Sequence, residues 1–175
     1  MPYTKLNETI ERTLIYTTTL LNKYSIPYWL DFGTLLGACR NQQIINGDDD
    51  GDICVNKIYK KRIEEIFQQL EYSDFYLFKS CKDKYQIIEK NYKKTRNIKH
   101  QIDIFFWEKR GDWYFNEYPM IKKNGGSPIQ SKFVDPSVLE TIKINNNIFK
   151  CPRYPNIFIE MPNRYGTFSI KNISD

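Results

Sequence analysis

Four carboxylates crowd into five residues at Asp48-Asp49-Asp50-Gly51-Asp52, and the chain then runs straight into the β-forming Ile53-Cys54-Val55. Residues two apart on a strand share a face, so Asp50 and Asp52 project together while Asp49 points away. Asp48 joins the pair if the extended conformation starts early. Two carboxylates roughly 5 Å apart repel by about 3 kcal/mol at an effective dielectric near ~20. Such a pair takes up a proton, stays in water or holds a divalent ion, and hard oxygen ligands of this kind suit Mg²⁺ or Mn²⁺. Gly33-Thr34, upstream, is the complement: glycine lets a phosphate approach the backbone, Thr34 reads as a helix N-cap, and a helix start offers N–H groups to an anion. A phosphate cradle followed by paired carboxylates is suited to metal-dependent phosphoryl or nucleotidyl transfer. The other conspicuous acid is Asp103, flanked by Ile102, Ile104, Phe105 and Phe106. It is either paired or metal-bound in the interior, or set on the exposed face of an edge strand.

These residues need elements to hold them. Leu6, Ile10, Leu14, Tyr16, Leu20 and Leu21 recur at helical spacing over residues 6–24, and Pro27 closes that helix and opens an extended run over 28–32. Gly33-Thr34 breaks the run, and a short helix ends near Arg40, followed by a polar loop with a turn at Asn46-Gly47. A short buried strand is predicted at 53–55. Residues 57–70 then read as a helix turning Ile58, Ile63, Ile66, Phe67 and Leu70 inward, with Lys57, Lys60 and Lys61 on its solvated face. From Asp74 the period changes. The runs 75–78, 85–88 and 102–107 are β-rich, 113–115 adds a further strand, and 142–151 reads as a hairpin. Asn156 is the predicted N-cap of a last helix that packs Ile157, Phe158, Ile159 and Met161 inward and stops at Pro162. Helix, strand, helix and then several neighbouring strands predict an α/β fold of the α+β kind, a mixed sheet with flanking helices.

The 175 residues suit a single domain over 1–175 with a sizeable core. A net charge of +5 reflects a lysine-bearing surface compatible with anionic substrates, without the concentrated basic stripe of a nucleic-acid binder. Cys39, Cys54, Cys81 and Cys151 are widely separated, with one histidine, His100, in the chain, which argues against a structural zinc site. Cys54 reads as a small core residue. With no signal peptide ahead of them the thiols are expected to be reduced and the protein cytoplasmic, meeting membrane-bound partners only peripherally. No apolar run is long enough to span a membrane. The turn Lys122-Lys123-Asn124-Gly125-Gly126-Ser127 reads as a flexible loop before it reads as a phosphate site, and His100 as an ordinary exposed histidine.

The stretch from Tyr28 to Val55 resembles the signature of the LicD family, the phosphocholine-transferase group that includes fukutin and fukutin-related protein. That signature runs approximately DyGTLLG-x-x-R, a short loop, then PWDDDIDI. Asp31-Phe32-Gly33-Thr34-Leu35-Leu36-Gly37 and Arg40 match its first part, and Asp48-Asp49-Asp50 with Asp52-Ile53 its second. Asn46-Gly47 stands where Pro-Trp is usual and Gly51 where an apolar residue is usual, both departures expected to loosen the loop. Downstream, Ile102-Asp103-Ile104-Phe105-Phe106-Trp107-Glu108 is similar to the family's IDIFPLD, and the tail from Cys151-Pro152-Arg153-Tyr154 to Arg164-Tyr165-Gly166 to its closing pattern. The resemblance thus spans residues 25 to 166.

It implies a nucleotidyltransferase-like fold in which a third carboxylate comes from a strand adjacent to the one bearing the pair. Asp103 fills that role, with Glu108 a weaker candidate. Asp50, Asp52 and Asp103 become the implied catalytic and metal-holding residues, with Asp48 as a further ligand and Mg²⁺ or Mn²⁺ as the ion. Gly33, Thr34 and Arg40 become the implied substrate-binding residues. The reaction implied moves a phospho-substituent, of the phosphocholine or ribitol phosphate type, from a CDP-linked donor to a glycan hydroxyl. The residues alone support metal-dependent phosphoryl or nucleotidyl transfer. Two other readings stay open: a nucleotidyltransferase that modifies a protein or small molecule, and a non-catalytic nucleotide- or glycan-binding remnant.

Overall fold

Helix α1 (Lys5–Lys23) starts where Thr4 caps it: the Thr4 hydroxyl accepts from the Asn7 N–H at 3.2 Å, and the Asn7 side-chain oxygen accepts from the Thr4 N–H at 3.3 Å. The computed structural model describes residues 4–70, 73–90, 101–123 and 126–161. Ile10, Leu14, Leu20 and Leu21 are buried on α1, and Thr13 and Thr17 are buried beside them. Each of these hydroxyls donates to the carbonyl one turn back, Thr13 to Thr9 at 2.9 Å and Thr17 to Thr13 at 2.8 Å, so a polar-looking helix face enters the core without an unmet hydroxyl donor.

The chain continues through β1 (Tyr28–Leu30), α2 (Phe32–Asn41) and β2 (Asp50–Asn56). A 3₁₀ turn, Lys57–Tyr59, leads into α3 (Lys60–Gln68), followed by the hairpin β3 (Phe75–Cys81) and β4 (Lys84–Glu89) and by the long β5 (Gln101–Arg110). Short pieces follow: β6 (Trp113–Phe115), α4 (Pro119–Lys123), β7 (Ile129–Gln130) and α5 (Ser131–Val134). A separate hairpin, β8 (Glu140–Ile144) with β9 (Asn147–Cys151), precedes α6 (Pro155–Glu160).

The main sheet runs β1-β2-β5-β4-β3, with β6 extending from β5 and β7 from β6. Among the described residues only β2 and β5 pair in parallel; the other pairs within it are antiparallel. Strand β5 is central, and Gln101 through Trp107 are all buried, which is why the sequence there is almost unbroken hydrophobic instead of alternating. One face of the sheet meets α1 and α3. Ile10 comes against Gly51 and Ile102, and the Tyr85 hydroxyl donates to Glu64. On the other face Trp29 packs 6.3 Å from Trp107 and edge-on to Tyr114 at 5.8 Å.

This mixed sheet with flanking helices meets the predicted fold class, with local corrections. Strand β2 begins at Asp50 rather than Ile53, so two of the acids are strand residues. Ile58 is 74 % exposed, because residues 57–59 form a 3₁₀ turn whose three-fold period takes Ile58 off the face that buries Ile63 and Ile66. In the last helix Phe158 is buried but Ile157 is exposed, and the helix is entered from Tyr154, at φ 53, rather than from Asn156. Glu108 falls on the opposite face of β5 from Asp103 and pairs with Arg110 at 2.8 Å, which removes it from the acid cluster. Cys39, Cys54, Cys81 and Cys151 form no disulfide. No helix among the described residues is long and apolar enough to cross a membrane.

Candidate functional site

Parallel pairing in register brings the acids together. Asp52 of β2 lies opposite Asp103 of β5, and Asp50 opposite Gln101. Registered neighbours share a face, and one oxygen each from Asp50, Asp52 and Asp103 lies within 4.8 Å of the others. Asp48, Asp49 and Asp50 form an overlapping group by the same measure, with Asp49 exposed. Asp103 sits mid-sheet between β2 and β4, not on an edge, and is 3 % exposed; Asp52 is 7 % exposed.

The electrostatic cost is visible in the titration of these groups. Burial, reinforced by Asp49, pushes Asp48 up to about 6. Burial, reinforced by Asp103 and Asp48, pushes Asp50 up to about 7. Asp52 is raised well above the ordinary carboxylate range by burial and then by Asp50 and Asp103. Asp103 is held by side chains of β4 and β5. Its Oδ1 accepts from Gln101 Nε2 at 2.9 Å and from Gln86 Nε2 at 3.0 Å, and its Oδ2 accepts from Lys84 Nζ at 2.6 Å. Burial works against the Lys84 charge, but the bond to Asp103 and the field of Asp103 overcome it, and the net shift is upward.

A divalent ion fits this donor set. Mg–O bonds of about 2.1 Å place opposite ligand oxygens about 4.2 Å apart, so oxygens already inside 4.8 Å close on an ion by small side-chain rotations. The ligands are hard carboxylates without a thiolate or imidazole among them, the chemistry Mg²⁺ and Mn²⁺ prefer.

Helix α2 delivers Gly33 to the cluster. Asp31, fully buried, caps the helix: its Oδ1 accepts from the Phe32 N–H at 2.8 Å, and its Oδ2 accepts from Trp29 Nε1 at 3.3 Å and Cys54 Sγ at 3.5 Å. Thr34, predicted as the N-cap, is instead the third helical residue. The residue is 1 % exposed and its hydroxyl accepts the Asp52 N–H at 2.8 Å, so it ties α2 to β2 instead of facing a ligand. Asp and Thr are comparable caps in sequence; the turn of the chain at Asp31, with Phe32 at φ 48, decides between them. Gly33 packs directly on the acids, for a β-carbon there would meet Asp48 Oδ2 at 2.6 Å and lie 3.9 Å from Asp52 Oδ2. The N–H groups of Gly33 and Thr34 belong to the first turn and have no intrahelical acceptor. Arg40 sits at the other end of α2, about 10 Å from Gly33 along the axis, and the fold does not bring it into the cluster.

The two departures from the LicD pattern have structural answers. Gly51 is inside β2, where a β-carbon would meet Ile102 Cδ1 at 2.6 Å and Ile10 Cγ2 at 3.2 Å, so neighbouring isoleucines occupy the missing volume and nothing is loosened there. Asn46-Gly47 forms a turn closed by the Asp48 N–H on the Ile45 carbonyl at 3.1 Å, with Gly47 at φ 87, a left-handed conformation that favours glycine.

Lys84, Gln86 and Gln101 were not singled out from sequence. Gln101 carried a signal, two residues before Asp103 on the same strand face. Lys84 and Gln86 reach Asp103 from β4, whose pairing with β5 no motif announces. Phe105, two residues past Asp103, packs against Phe32 at 5.1 Å and Tyr118 at 5.7 Å, adding an aromatic wall beside the acids. His100, Asn124, Gly125, Pro162 and Arg164-Tyr165-Gly166 lie outside the described residues. A cavity of about 450 Å³ between α1 and the β3–β4 hairpin, lined by Arg12, Tyr16, Lys23, Phe75 and Glu89, is separate from the acids.

A match to the nucleotidyltransferase domain of the LicD/FKTN/FKRP family covers residues 25–154, which include every acid of the cluster. The chain belongs to this family. Among curated relatives of this LicD-family chain, an uncharacterised protein of Rickettsia prowazekii (strain Madrid E) is 34 % identical over 123 residues, 63 % of this chain and 44 % of that protein. An uncharacterised protein of Rickettsia typhi (strain ATCC VR-144 / Wilmington) is 48 % identical over 59 residues, 32 % of this chain and 19 % of that one. The matched stretch therefore spans less than half the length of either relative. Among solved structures, ANT(2'')-Ia in complex with adenylyl-2''-tobramycin superposes with a TM-score of 0.51 and 14 % identity, covering 92 % of this chain and 84 % of that one. The LicD-family fold here is a nucleotidyltransferase fold, as the sequence motifs implied.

Proposed function

We propose that this chain is a metal-dependent phosphotransferase that moves a phospho-substituent, of the phosphocholine or ribitol phosphate type, from a CDP-linked donor to a glycan hydroxyl. The observation that carries the reading is the registered meeting of Asp52 and Asp103 across the parallel β2–β5 pair, with Asp50 beside them and all three oxygens within 4.8 Å. Membership of the LicD family supports the transferase class.

Asp50, Asp52 and Asp103 would hold Mg²⁺ or Mn²⁺, with Asp48 flanking them at Gly33. When bound, the ion neutralises charge on the donor's pyrophosphate and stabilises the leaving phosphate. Gly33 admits a donor phosphate to the α2 start once the Asp48 side chain swings aside, and the Gly33 and Thr34 N–H groups, which have no intrahelical acceptor, favour an anion there. Thr34 keeps that helix start fixed on β2 through the Asp52 N–H. The acceptor oxygen forms a new bond to phosphorus, the P–O bond to CMP breaks, and the hydroxyl proton passes to a carboxylate of the cluster. Positioning and charge stabilisation supply most of the catalysis.

The test is a thermal-shift series with CDP, CTP, UDP and ADP, each with and without Mg²⁺ or Mn²⁺, on wild type and on Asp50→Asn/Asp52→Asn. The expected result is a metal-dependent rise for cytidine nucleotides that the double variant loses, followed by CMP release from a CDP-linked donor that falls at least about 100-fold in the variant. Pyrophosphate release from CTP in place of CMP release would turn the assignment to nucleotidyl transfer onto a protein or small molecule. A flat response to every nucleotide in folded protein would favour a non-catalytic binding role.

A further inference from the structure

The cluster already contains a cation of the protein's own. Among the described residues Lys84 is the one seen in an ion pair with the acid cluster, at 2.6 Å from Asp103 Oδ2, with its side chain 14 % exposed. It stands over the rings of Phe105 at 5.7 Å and Tyr118 at 5.3 Å, a surrounding that keeps the ammonium near the cluster even when a given partner is lost. Asp103 is bound unequally at its two oxygens. Oδ1 is committed to the amides of Gln86 and Gln101, which are neutral, fixed on β4 and β5 and buried at 6 % and 4 % exposure. Among the described residues Oδ2 is held by Lys84 alone, whose flexible four-carbon stem can move. A divalent ion shared by Asp50, Asp52 and Asp103 needs an Asp103 oxygen, and Oδ2 is the exchangeable one.

We propose that Lys84 is an exchangeable cation of this site: it neutralises Asp103 until a divalent ion takes Oδ2, and the displaced ammonium then contacts the phosphate of the incoming donor. The proposal rests on the reading of the cluster as a divalent-ion site for a phosphorylated donor. Charge supports the sequence of events. Asp48, Asp50, Asp52 and Asp103 set four potential negative charges against one ammonium, a field that repels a pyrophosphate. Entry of the ion removes that barrier and at the same moment frees Lys84. Ion and donor binding are thereby coupled through one side chain, and Arg40, at the far end of α2, is not needed for it.

Two binding measurements with Lys84→Met and Lys84→Arg test this. Mn²⁺ binding is followed by the loss of the free-ion electron paramagnetic resonance signal, and CDP binding at saturating Mn²⁺ by calorimetry; circular dichroism checks that each variant is folded. Removing a competing unit charge beside a divalent ion should tighten Mn²⁺ binding by about tenfold or more in Lys84→Met. CDP binding to the same variant should weaken by about tenfold or more, and Lys84→Arg, which keeps the charge, should retain most of the CDP affinity. The opposite signs are diagnostic, since a merely structural lysine would weaken both. Wild type that binds Mn²⁺, with Lys84→Met binding it equally well or worse, overturns the exchange alone. Wild type that binds no Mn²⁺ overturns the ion-site reading and the exchange with it.

Discussion

At the scale of single residues the dominant fact is the burial of neighbouring carboxyl groups, with their mutual repulsion second. Asp50 titrates at about 7 when folded against a reference of 3.8, because burial and then Asp103 and Asp48 disfavour its charge. Between those values the folded chain binds a proton that the unfolded chain has released, so this group's contribution to stability falls as pH rises through the window and levels off above it. Asparagine mimics the protonated acid at every pH. The melting temperature of Asp50→Asn minus that of wild type, measured in chelator, should be near zero at about pH 4 and climb to a positive plateau above about pH 7. A difference that does not change with pH would show that Asp50 carries no such strain. The alternation Asp50-Gly51-Asp52 was enough to place two acids on one face, and the apolar flanks of Asp103 to mark it as exceptional. Of its partners, Gln101 lies within the same local pattern, but Lys84 and Gln86 were out of reach, because a donor on another strand leaves no trace there.

At the scale of elements, α2 decides how closely the acids can gather. Two glycines on that helix make opposite predictions. At Gly33 a β-carbon would meet the tip of the Asp48 side chain at 2.6 Å, and that tip can swing away. At Gly37 it would meet the backbone carbonyl of Gln43 at 2.4 Å, next to Ile45, and that backbone cannot move without shifting the loop that leads to the acids. Alanine also raises helix propensity by up to about 1 kcal/mol at either position. Gly33→Ala should therefore melt within about 1 kcal/mol of wild type while binding Mn²⁺ several-fold more weakly, whereas Gly37→Ala should lose about 2–4 kcal/mol in a denaturant titration. Equal losses of stability would refute the distinction between a functional and a structural glycine. The existence of this helix was legible from Leu35, Leu36 and Ala38, but its start was not. Asp31 and Thr34 cap equally well on paper, and only the chain reversal after β1 chooses. Ile58 and Ile157 were misplaced for a related reason, since both fall in the first turn of short helical pieces where the 3.6-residue period has not been established.

At the scale of the whole molecule the site exists only when the sheet is assembled. Asp52 and Asp103 are neighbours because β5 pairs with β2 across the intervening β3–β4 hairpin, an order that strand patterns predicted in kind but not in sequence of neighbours. The unfolded chain keeps the local acids of 48–52 but loses Asp103, so an ion that prefers the assembled cluster draws the equilibrium toward the folded state by mass action. At a concentration about 100 times its dissociation constant the gain is about 2.7 kcal/mol, which for a chain of this length corresponds to a rise in melting temperature of about 5–10 °C. Saturating Mn²⁺ should produce that rise near pH 8, chelator should reverse it, and the rise should shrink near pH 5, where Asp48 and Asp50, titrating at about 6 and about 7, carry protons that the ion must displace. Asp103→Asn should abolish most of the effect although it lies 51 residues from Asp52, since 103 minus 52 measures only the separation along the chain and not across the sheet. An ion response that survives Asp103→Asn would mean that the acids of 48–52 bind the ion in the folded chain without Asp103, and that β5 contributes no ligand.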